Sequence, residues 1–216
     1  MPFEYSCFIS YRHGEKGMER FIVDFWQALE SEVKALIDDK GVFIDRERLK
    51  GGDFFNERLA TSLCKSACMI MIFTPTYFSK KHPYCAREYK AMEKLEQKRL
   101  ELLGSPVDKQ HGLIIPVVLR REDSLPPEIK RQRQYYLFDD FLLCDRRRLS
   151  SYRHYMQEIK QIATYIFDRW KILEALPVDP CDDCLGFAFP SEDEIKDWLQ
   201  RVPISKIPFP GRMEGR

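Results

Sequence analysis

An unbroken run of apolar residues, ACMIMIFT at 67–74, constrains the fold of this chain more than any other feature. Ser66 and Pro75 bound the run, which is therefore far shorter than the roughly 20 apolar residues that cross a bilayer. A strand that is apolar at every position is typical of a parallel sheet that helices cover on both faces. The run therefore predicts one strand of such a sheet.

The segments around this run alternate between strand-like and helix-like patterns. The other predicted strands are Tyr5–Tyr11, Gly41–Ile44, Gly112–Leu119 and Tyr136–Phe141. Apolar residues at helical spacing predict helices at 19–36, 54–64, 84–103 and 152–173. Pro116 indicates a sheet edge or a bulge, because proline donates no hydrogen bond to a neighbouring strand. This order predicts an α/β fold, a flavodoxin-like three-layer sandwich with a central parallel sheet of about five strands and right-handed crossovers.

The character of the sequence changes after Leu176. Six prolines follow, at positions 177, 180, 190, 203, 208 and 210. Only 191–201 has a helical pattern in this segment, and Ser191 with Glu194 forms a capping-box signature at its start. We therefore predict one domain at 1–176 and a Pro-rich C-terminal extension at 177–216. The extension has one short helix and is expected to pack on the domain or to dock onto a partner.

Composition limits the classes of function. The 216 residues are 44% hydrophobic and 13% aromatic, which is enough for a substantial core. The 35 basic and 34 acidic side chains leave a net charge of +1, so electrostatics favours neither nucleic acid nor an anionic membrane as a partner. The opening residues, MPFEYSCFIS, lack the basic segment and long apolar core of a secretory signal. A cytoplasmic protein is therefore expected.

The chain has seven cysteines. We expect buried reduced thiols, rather than disulfides, at the cysteines inside apolar-periodic segments, which are Cys7, Cys64 and Cys68. Cys181 and Cys184 form a CxxC pair, but a structural zinc ion takes about four ligands. The nearest further candidates, Cys144 and His154, are distant in the sequence. No metal site is therefore predicted.

Several polar segments are predicted to meet at one edge of the sheet. Ligands of doubly wound sheets bind beyond the carboxyl ends of the strands, where crossovers leave in opposite directions. The segments are 10–13, 45–46, 74–76 and the start of the helix that contains Glu88. Neither GxGxxG nor GxxxxGK[ST] occurs in the sequence. A nucleotide at this edge would therefore be held by aromatic rings, arginines and backbone amides.

The candidate binding side chains at this edge each have an ordinary alternative. They are Ser10, Tyr11, Arg12, Asp45, Arg46 and Tyr84. Tyr11 and Tyr84 suit stacking on a base, and Phe43 has the same chemistry but fits a core position better. Arg12 and Arg46 suit a pyrophosphate or are solvated loop residues. Asp45 contacts the ligand, orders the loop or caps a turn.

Four motifs in the same order resemble the Toll/interleukin-1 receptor (TIR) domain family. They are FISYR at Phe8–Arg12, the loop residues Asp45, Leu49, Gly52 and Asp53, the helix residues Leu59, Leu63 and Ser66, and the segment with Ser79, Tyr84, Cys85 and Glu88. The resemblance covers residues 4–170. Tyr84 stands where the family more often has Trp, and the C-terminal extension lies outside the family pattern.

The resemblance implies a chemistry for Glu88, since one helix-borne glutamate carries the reaction in NAD-consuming bacterial members. The nicotinamide of NAD is cationic and leaves as a neutral base, so its departure needs no general acid. Ordinary glycoside hydrolysis uses two carboxylates, whereas here one carboxylate can stabilise the oxocarbenium-like charge. The expected products are nicotinamide and ADP-ribose, or a cyclic or conjugated ADP-ribose signal. NAD is the substrate, and no cofactor is expected.

The resemblance also implies partners and a context. Similar standalone proteins act in antiviral defence, either by depleting NAD or by making a messenger for a separate effector protein. Self-association through TIR domains is expected as well.

Other interpretations remain open at the level of sequence. Glu88 could be an exposed helix-face residue, like Glu93, Glu96 and Glu101. The chain would then be a non-catalytic adaptor that docks onto another TIR domain through the loop 45–53. A phospho-acceptor receiver domain shares the architecture, but it has acidic residues at the end of the first strand, where this chain has Ser-Tyr-Arg at 10–12.

Overall fold

The computed structural model describes residues 3–14, 16–45, 54–104, 110–143, 152–178, 180–182 and 184–202. Within these ranges the strands are β1 Tyr5–Tyr11, β2 Gly41–Ile44, β3 Ser66–Phe73, β4 Ile114–Val118 and β5 Tyr136–Leu137. The helices are α1 Lys16–Lys34, α2 Phe54–Cys64, α3 Tyr84–Leu102, α4 Pro127–Gln132, α5 Arg153–Glu174 and α6 Glu192–Arg201. The sequence patterns predicted all of these elements except the short helix α4.

All neighbouring strands are parallel, in the order β2-β1-β3-β4-β5. The predicted α/β class and flavodoxin-like parallel sheet are thereby confirmed. The chain crosses from β1 to β2 on one side and then returns past β1 to β3 on the other, so successive crossovers diverge between β1 and β3. The carboxyl ends of these two strands are adjacent, with Tyr11 opposite Ile72. A ligand crevice is expected at this point of such a sheet.

Helices cover the sheet on both faces. Every residue of β3 is buried, as its apolar run predicts. Helices α1 and α5 pack together against the sheet, and α2 and α3 form the second pair. The edge strand β2 is only half-buried over most of its length. None of the helices in the described ranges is long and apolar enough to span a membrane.

The proline in β4 has a local explanation. Pro116 is in register with Met71 of β3, whereas β5 pairs only with Val117 and Val118. The outer side of β4 is therefore not covered by β5 at the proline, which gives this position the predicted edge character. The predicted strand at 136–141 is shorter than expected, because a 3-10 turn begins at Asp139.

The described part of the C-terminal extension packs on α2 and α3. Ser191 and Glu194 make the predicted capping box at the start of α6. Trp198 of α6 stacks on Tyr89 of α3, with 5.7 Å between ring centroids. Residues after 202 lie outside the described residues, and the division of the chain after Leu176 stays a prediction.

The prediction that Cys64 is a reduced thiol is wrong. Cys64, the last residue of α2, forms a disulfide with Cys184 of the extension, and their Cα atoms are 5.4 Å apart. The two residues are 120 positions apart in the chain, so local patterns give no sign of the packing that brings them together. Cys7 and Cys68 are free and buried, as predicted.

The Lys- and Glu-rich face of α3 is not uniformly solvated. Glu96 is 7% exposed and forms a bidentate pair with Arg133, with N–O distances of 2.8 and 2.5 Å. The same carboxylate accepts hydrogen bonds from the backbone N–H groups of Leu113 and Ile114. The interpretation of Glu96 as an exposed helix-face residue is therefore wrong, because an arginine 37 positions away neutralises it inside the fold.

Candidate active site

The carboxyl end of β1 and the first turns of α3 place Ser10 and Glu88 side by side. Helix α3 starts at Tyr84, so Glu88 lies about one turn into it. Ser10 Oγ donates a hydrogen bond of 2.6 Å to Glu88 Oε2. Ser10 is 1% exposed and Glu88 is 2% exposed. The interpretation of Glu88 as an exposed helix-face residue is therefore wrong, since its carboxylate is buried at the predicted edge of the sheet.

Tyr77 extends this contact into a chain of hydroxyl groups. Its hydroxyl lies 2.6 Å from Ser10 Oγ. Because Ser10 donates its single proton to Glu88, it accepts from Tyr77. Burial raises the pKa of Tyr77 well above its usual value, and the nearby Cys85 and Glu88 raise it further. Tyr77 therefore stays protonated and serves as the donor at the start of the chain.

Tyr11 connects the ends of β1 and β2. Its hydroxyl donates a hydrogen bond of 3.0 Å to the backbone carbonyl of Asp45. Its ring stacks on His13, with 4.2 Å between centroids. Tyr11 and Asp45 are 7% and 8% exposed. Tyr11 thus orders the strand ends, and His13 occupies one face of the ring that was predicted to stack on a ligand.

Tyr84 and Arg12 are the more accessible of the predicted binding residues. Tyr84, one turn before Glu88, is 41% exposed, and Arg12 is half-buried directly after β1. Cys85 follows Tyr84 and is buried, with its Sγ donating to the Tyr11 carbonyl at 3.4 Å. This contact ties the start of α3 to the end of β1.

Two other sequence candidates do not contribute to the described geometry. Phe43 stacks on Phe8 with 5.2 Å between centroids, so it belongs to the core, as its position favours. Arg46 and the rest of the loop 46–53 lie outside the described residues. The predicted ligand contact of Arg46 stays a prediction.

Sequence analysis missed Tyr77. Its position in the sequence could have indicated it, since Tyr77 directly follows 74–76, the segment that leaves β3 at the predicted edge. The described residues contain no group of three or more His, Cys, Asp or Glu side chains that could hold a metal ion. Within them, the site includes a buried carboxylate, the Ser10 hydroxyl that donates to it, the Tyr77 hydroxyl beside Ser10, and an exposed aromatic ring one turn away.

Such an arrangement can act on positive charge. A carboxylate removed from water interacts more strongly with a nearby cation than a solvated one does, because the local dielectric is low. The Ser10 hydroxyl fixes the position of this carboxylate by donating to Oε2. The site is therefore suited to stabilising a cationic group or a developing cation.

Comparison with known proteins identifies the family. The pattern of the family described as TIR domain matches residues 7–149, a range that includes most of β1, all of β2 to β5, and both Ser10 and Glu88. Comparisons with curated proteins and with solved structures found no match. Because the family match covers more than half of the 216 residues, the chain belongs to the TIR domain family.

Proposed function

We propose that this protein cleaves the bond between nicotinamide and ribose in NAD, and that Glu88 is its catalytic residue. The observation that carries the proposal is the buried Glu88 carboxylate, held by Ser10 at the point where the crossovers of the sheet diverge. A buried carboxylate is costly unless hydrogen bonds hold it. Because Glu88 lies at the edge where ligands of such sheets bind, we assign its carboxylate a catalytic role rather than a structural one.

The chemistry requires one carboxylate. As the bond from the ribose C1′ to the nicotinamide nitrogen breaks, its electron pair goes to nicotinamide, which leaves neutral. Positive charge then spreads over C1′ and the ring oxygen, and the Glu88 carboxylate stabilises it. Water attacks C1′ and loses a proton, which gives ADP-ribose. Attack by a nitrogen of the adenine, or by another acceptor, gives a cyclic or conjugated product instead.

The other residues have binding and positioning roles in this proposal. Ser10 holds Glu88, and Tyr77 holds Ser10. The exposed ring of Tyr84 stacks on a planar ring of the substrate, since it lies one turn from the carboxylate. Arg12 meets the pyrophosphate with its guanidinium. Asp45, at the end of β2, and Arg46, in the loop that follows it, are assigned to substrate binding.

Substrate access requires a rearrangement, because Glu88 is 2% exposed. A nicotinamide ring cannot contact this carboxylate until neighbouring groups move. From the sequence, in which Gly51 and Gly52 permit backbone conformations that other residues avoid, we expect the loop 45–53 to gate the site or to contact a neighbouring protomer. Its residues from Arg46 onward lie outside the described residues. A Gly52→Pro variant is then expected to lose activity while the core stays folded.

Assembly is a second part of the proposal. TIR domains generally self-associate, and the near-zero net charge of +1 leaves little repulsion between copies. If a second protomer completes the site, activity per mole of enzyme rises with enzyme concentration by mass action. If the monomer is complete, activity per mole stays constant.

Product analysis tests the function directly. The full-length protein is incubated with NAD over a roughly hundredfold range of enzyme concentration, since mass action separates the two assembly outcomes. Mass spectrometry identifies the products, and light scattering reports the oligomeric state. We expect nicotinamide together with ADP-ribose or a cyclic or conjugated form. Assembled protein that releases no nicotinamide would contradict the proposal and favour a non-catalytic adaptor, which has no need of a buried acid at 88.

A further inference from the structure

Three cysteines and one arginine meet where the C-terminal extension contacts α2. Cys64 is bonded to Cys184, and Cys181 Sγ donates to the backbone carbonyl of Cys64 at 3.6 Å. Arg99 of α3 donates to the same carbonyl oxygen. Cys181 and Cys184, the CxxC pair, therefore both lie next to Cys64.

Access differs among these sulfur atoms. Cys64 and Cys184 are 2% and 1% exposed, whereas Cys181 is half-buried. A thiol from solvent must reach a sulfur atom to attack a disulfide, so the buried bond is shielded. Cys68, also buried, does not substitute for Cys181, because burial raises the pKa of its thiol to about 12 and keeps it protonated at neutral pH.

Arg99 places a positive charge beside Cys181, because both side chains contact the backbone carbonyl oxygen of Cys64. Cys181 opposes the effect of burial, which lowers the pKa of Arg99. A guanidinium beside a thiol favours the thiolate, and the thiolate is the nucleophile in disulfide exchange. The half-buried cysteine therefore has both access to solvent and an activating neighbour.

We propose that Cys181 is a redox-reactive cysteine that exchanges the Cys64–Cys184 disulfide for a Cys181–Cys184 disulfide. The Cys181 thiolate attacks Cys184 Sγ, the bond to Cys64 breaks, and Cys64 leaves as a thiolate that takes up a proton. This step is redox-neutral. A dithiol reductant then attacks the accessible Cys181 sulfur, supplies two electrons, and ends as a disulfide while both cysteines of the pair become thiols.

The exchange frees the extension from α2, and the extension contacts α3 on both sides of Glu88. Arg87 Nε donates to the Pro190 carbonyl at 2.6 Å, and Tyr89 stacks on Trp198. The state of the disulfide therefore sets how firmly the extension holds this part of α3. The inference does not rest on the proposed NAD chemistry, because its readouts are covalent bonds and amide exchange.

A reduction time course tests the exchange. Oxidised full-length protein is treated with dithiothreitol, blocked with iodoacetamide at intervals, and mapped by mass spectrometry. The wild type is expected to pass through a species with a Cys181–Cys184 bond and alkylated Cys64. Cys181→Ser is expected to lack this species and to lose its Cys64–Cys184 bond at least about tenfold more slowly, because both sulfur atoms are shielded. Asp182→Asn, an exposed position in the same turn, is the matched control and should follow the wild-type course.

A second variant and a second readout complete the test. Oxidised Cys64→Ser should have a Cys181–Cys184 bond. In the wild type, reduction should speed amide exchange in α6 but not in α5. Oxidised wild type without a Cys64–Cys184 bond, or Cys181→Ser reduced as fast as wild type, would overturn the proposal. If Cys181→Ser does not fold, the wild-type time course decides, since it either contains the Cys181–Cys184 species or does not.

Discussion

Two glutamates of the same helix are both buried, but their surroundings differ. Glu88 lies near the start of α3, at the carboxyl ends of the strands, and accepts a hydrogen bond from the Ser10 hydroxyl. Glu96 lies about two turns further along and faces the amino end of β4. It binds the Arg133 guanidinium and the Leu113 backbone N–H. Burial alone therefore does not separate a structural carboxylate from a functional one.

The partners make the distinction. Burial by itself lowers the pKa of Arg133, but the hydrogen bonds and charge of Glu96 outweigh this and raise it above its usual value. Glu96 and Arg133 are therefore an ionised pair whose charges cancel inside the fold. Glu88 instead accepts a hydrogen bond from Ser10, whose hydroxyl Tyr77 contacts in turn, and in the proposed function its carboxylate faces a cationic substrate or transition state.

The largest expected effect is on stability and concerns Glu96, the carboxylate that is paired with Arg133. Glu96→Gln leaves the Arg133 charge buried without its counter-charge. Both side chains of the pair are 9% exposed, so we expect a loss of about 3–5 kcal/mol in the free energy of unfolding. Denaturant unfolding of the wild type and the variant measures it.

Glu101→Gln is the matched control for this effect. Glu101 is exposed on the same helix, so its substitution is expected to change the free energy of unfolding by no more than about 0.5 kcal/mol. Equal stability of the Glu96 and Glu101 variants would show that the buried pair contributes little.

Ser10→Ala is expected to have a smaller effect, and this effect is on activity. It removes the donor to Glu88 Oε2, and hydrogen bonds to charged groups contribute about 1.5–3 kcal/mol. We expect kcat/KM for NAD cleavage to fall by about tenfold or more. Wild-type kinetics in a folded Ser10→Ala variant would show that Ser10 does not position the carboxylate.

Tyr77→Phe should have a smaller effect, because Tyr77 acts through Ser10. We expect activity to fall about twofold to tenfold, as for the loss of one neutral hydrogen bond. In the Ser10→Ala background, Tyr77→Phe should cause little further loss of activity, since the two residues belong to one series of hydrogen bonds. A double-mutant cycle on kcat measures this coupling. Fully additive losses in the double variant would argue against a connected series of hydrogen bonds from Tyr77 to Glu88.

Tyr155→Phe provides the control for removing a buried hydroxyl. The Tyr155 hydroxyl has no hydrogen-bond partner in the described part of the chain. Activity should therefore match the wild type. A loss equal to that of Tyr77→Phe would mean that the assay reports general disturbance of the core.

The smallest effect depends on pH. The folded-state pKa of Tyr77 lies well above the ordinary value of 10.0, so the protonated form is favoured in the fold. Its contribution to stability is complete below the unfolded-state pKa of about 10 and is lost as pH rises toward the folded-state pKa. The free energy of unfolding should therefore fall less steeply above about pH 10 in Tyr77→Phe than in the wild type. Identical pH dependence of the free energy of unfolding in the two proteins would contradict the raised pKa of Tyr77.

Sequence patterns predicted the parts of the molecule that local periodicity and strand order control. The apolar run 67–74 gave a fully buried strand, and helix α2 has the predicted bounds. Strand order also predicted that Ser10 and the start of the helix with Glu88 would approach each other. Contacts that depend on tertiary packing alone were missed, such as Arg133 beside Glu96 and Cys184 beside Cys64. No local pattern encodes a pair separated by 37 or 120 positions.

One assay tests most directly whether Glu88 is functional and Glu96 is structural. Nicotinamide release from NAD is measured for wild type, Glu88→Gln and Glu96→Gln, each at a temperature where circular dichroism shows it to be folded. We expect a fall of about a hundredfold or more for Glu88→Gln, as for other electrostatic stabilisers, and near wild-type turnover for Glu96→Gln. Full NAD cleavage by folded Glu88→Gln would contradict the catalytic role of Glu88.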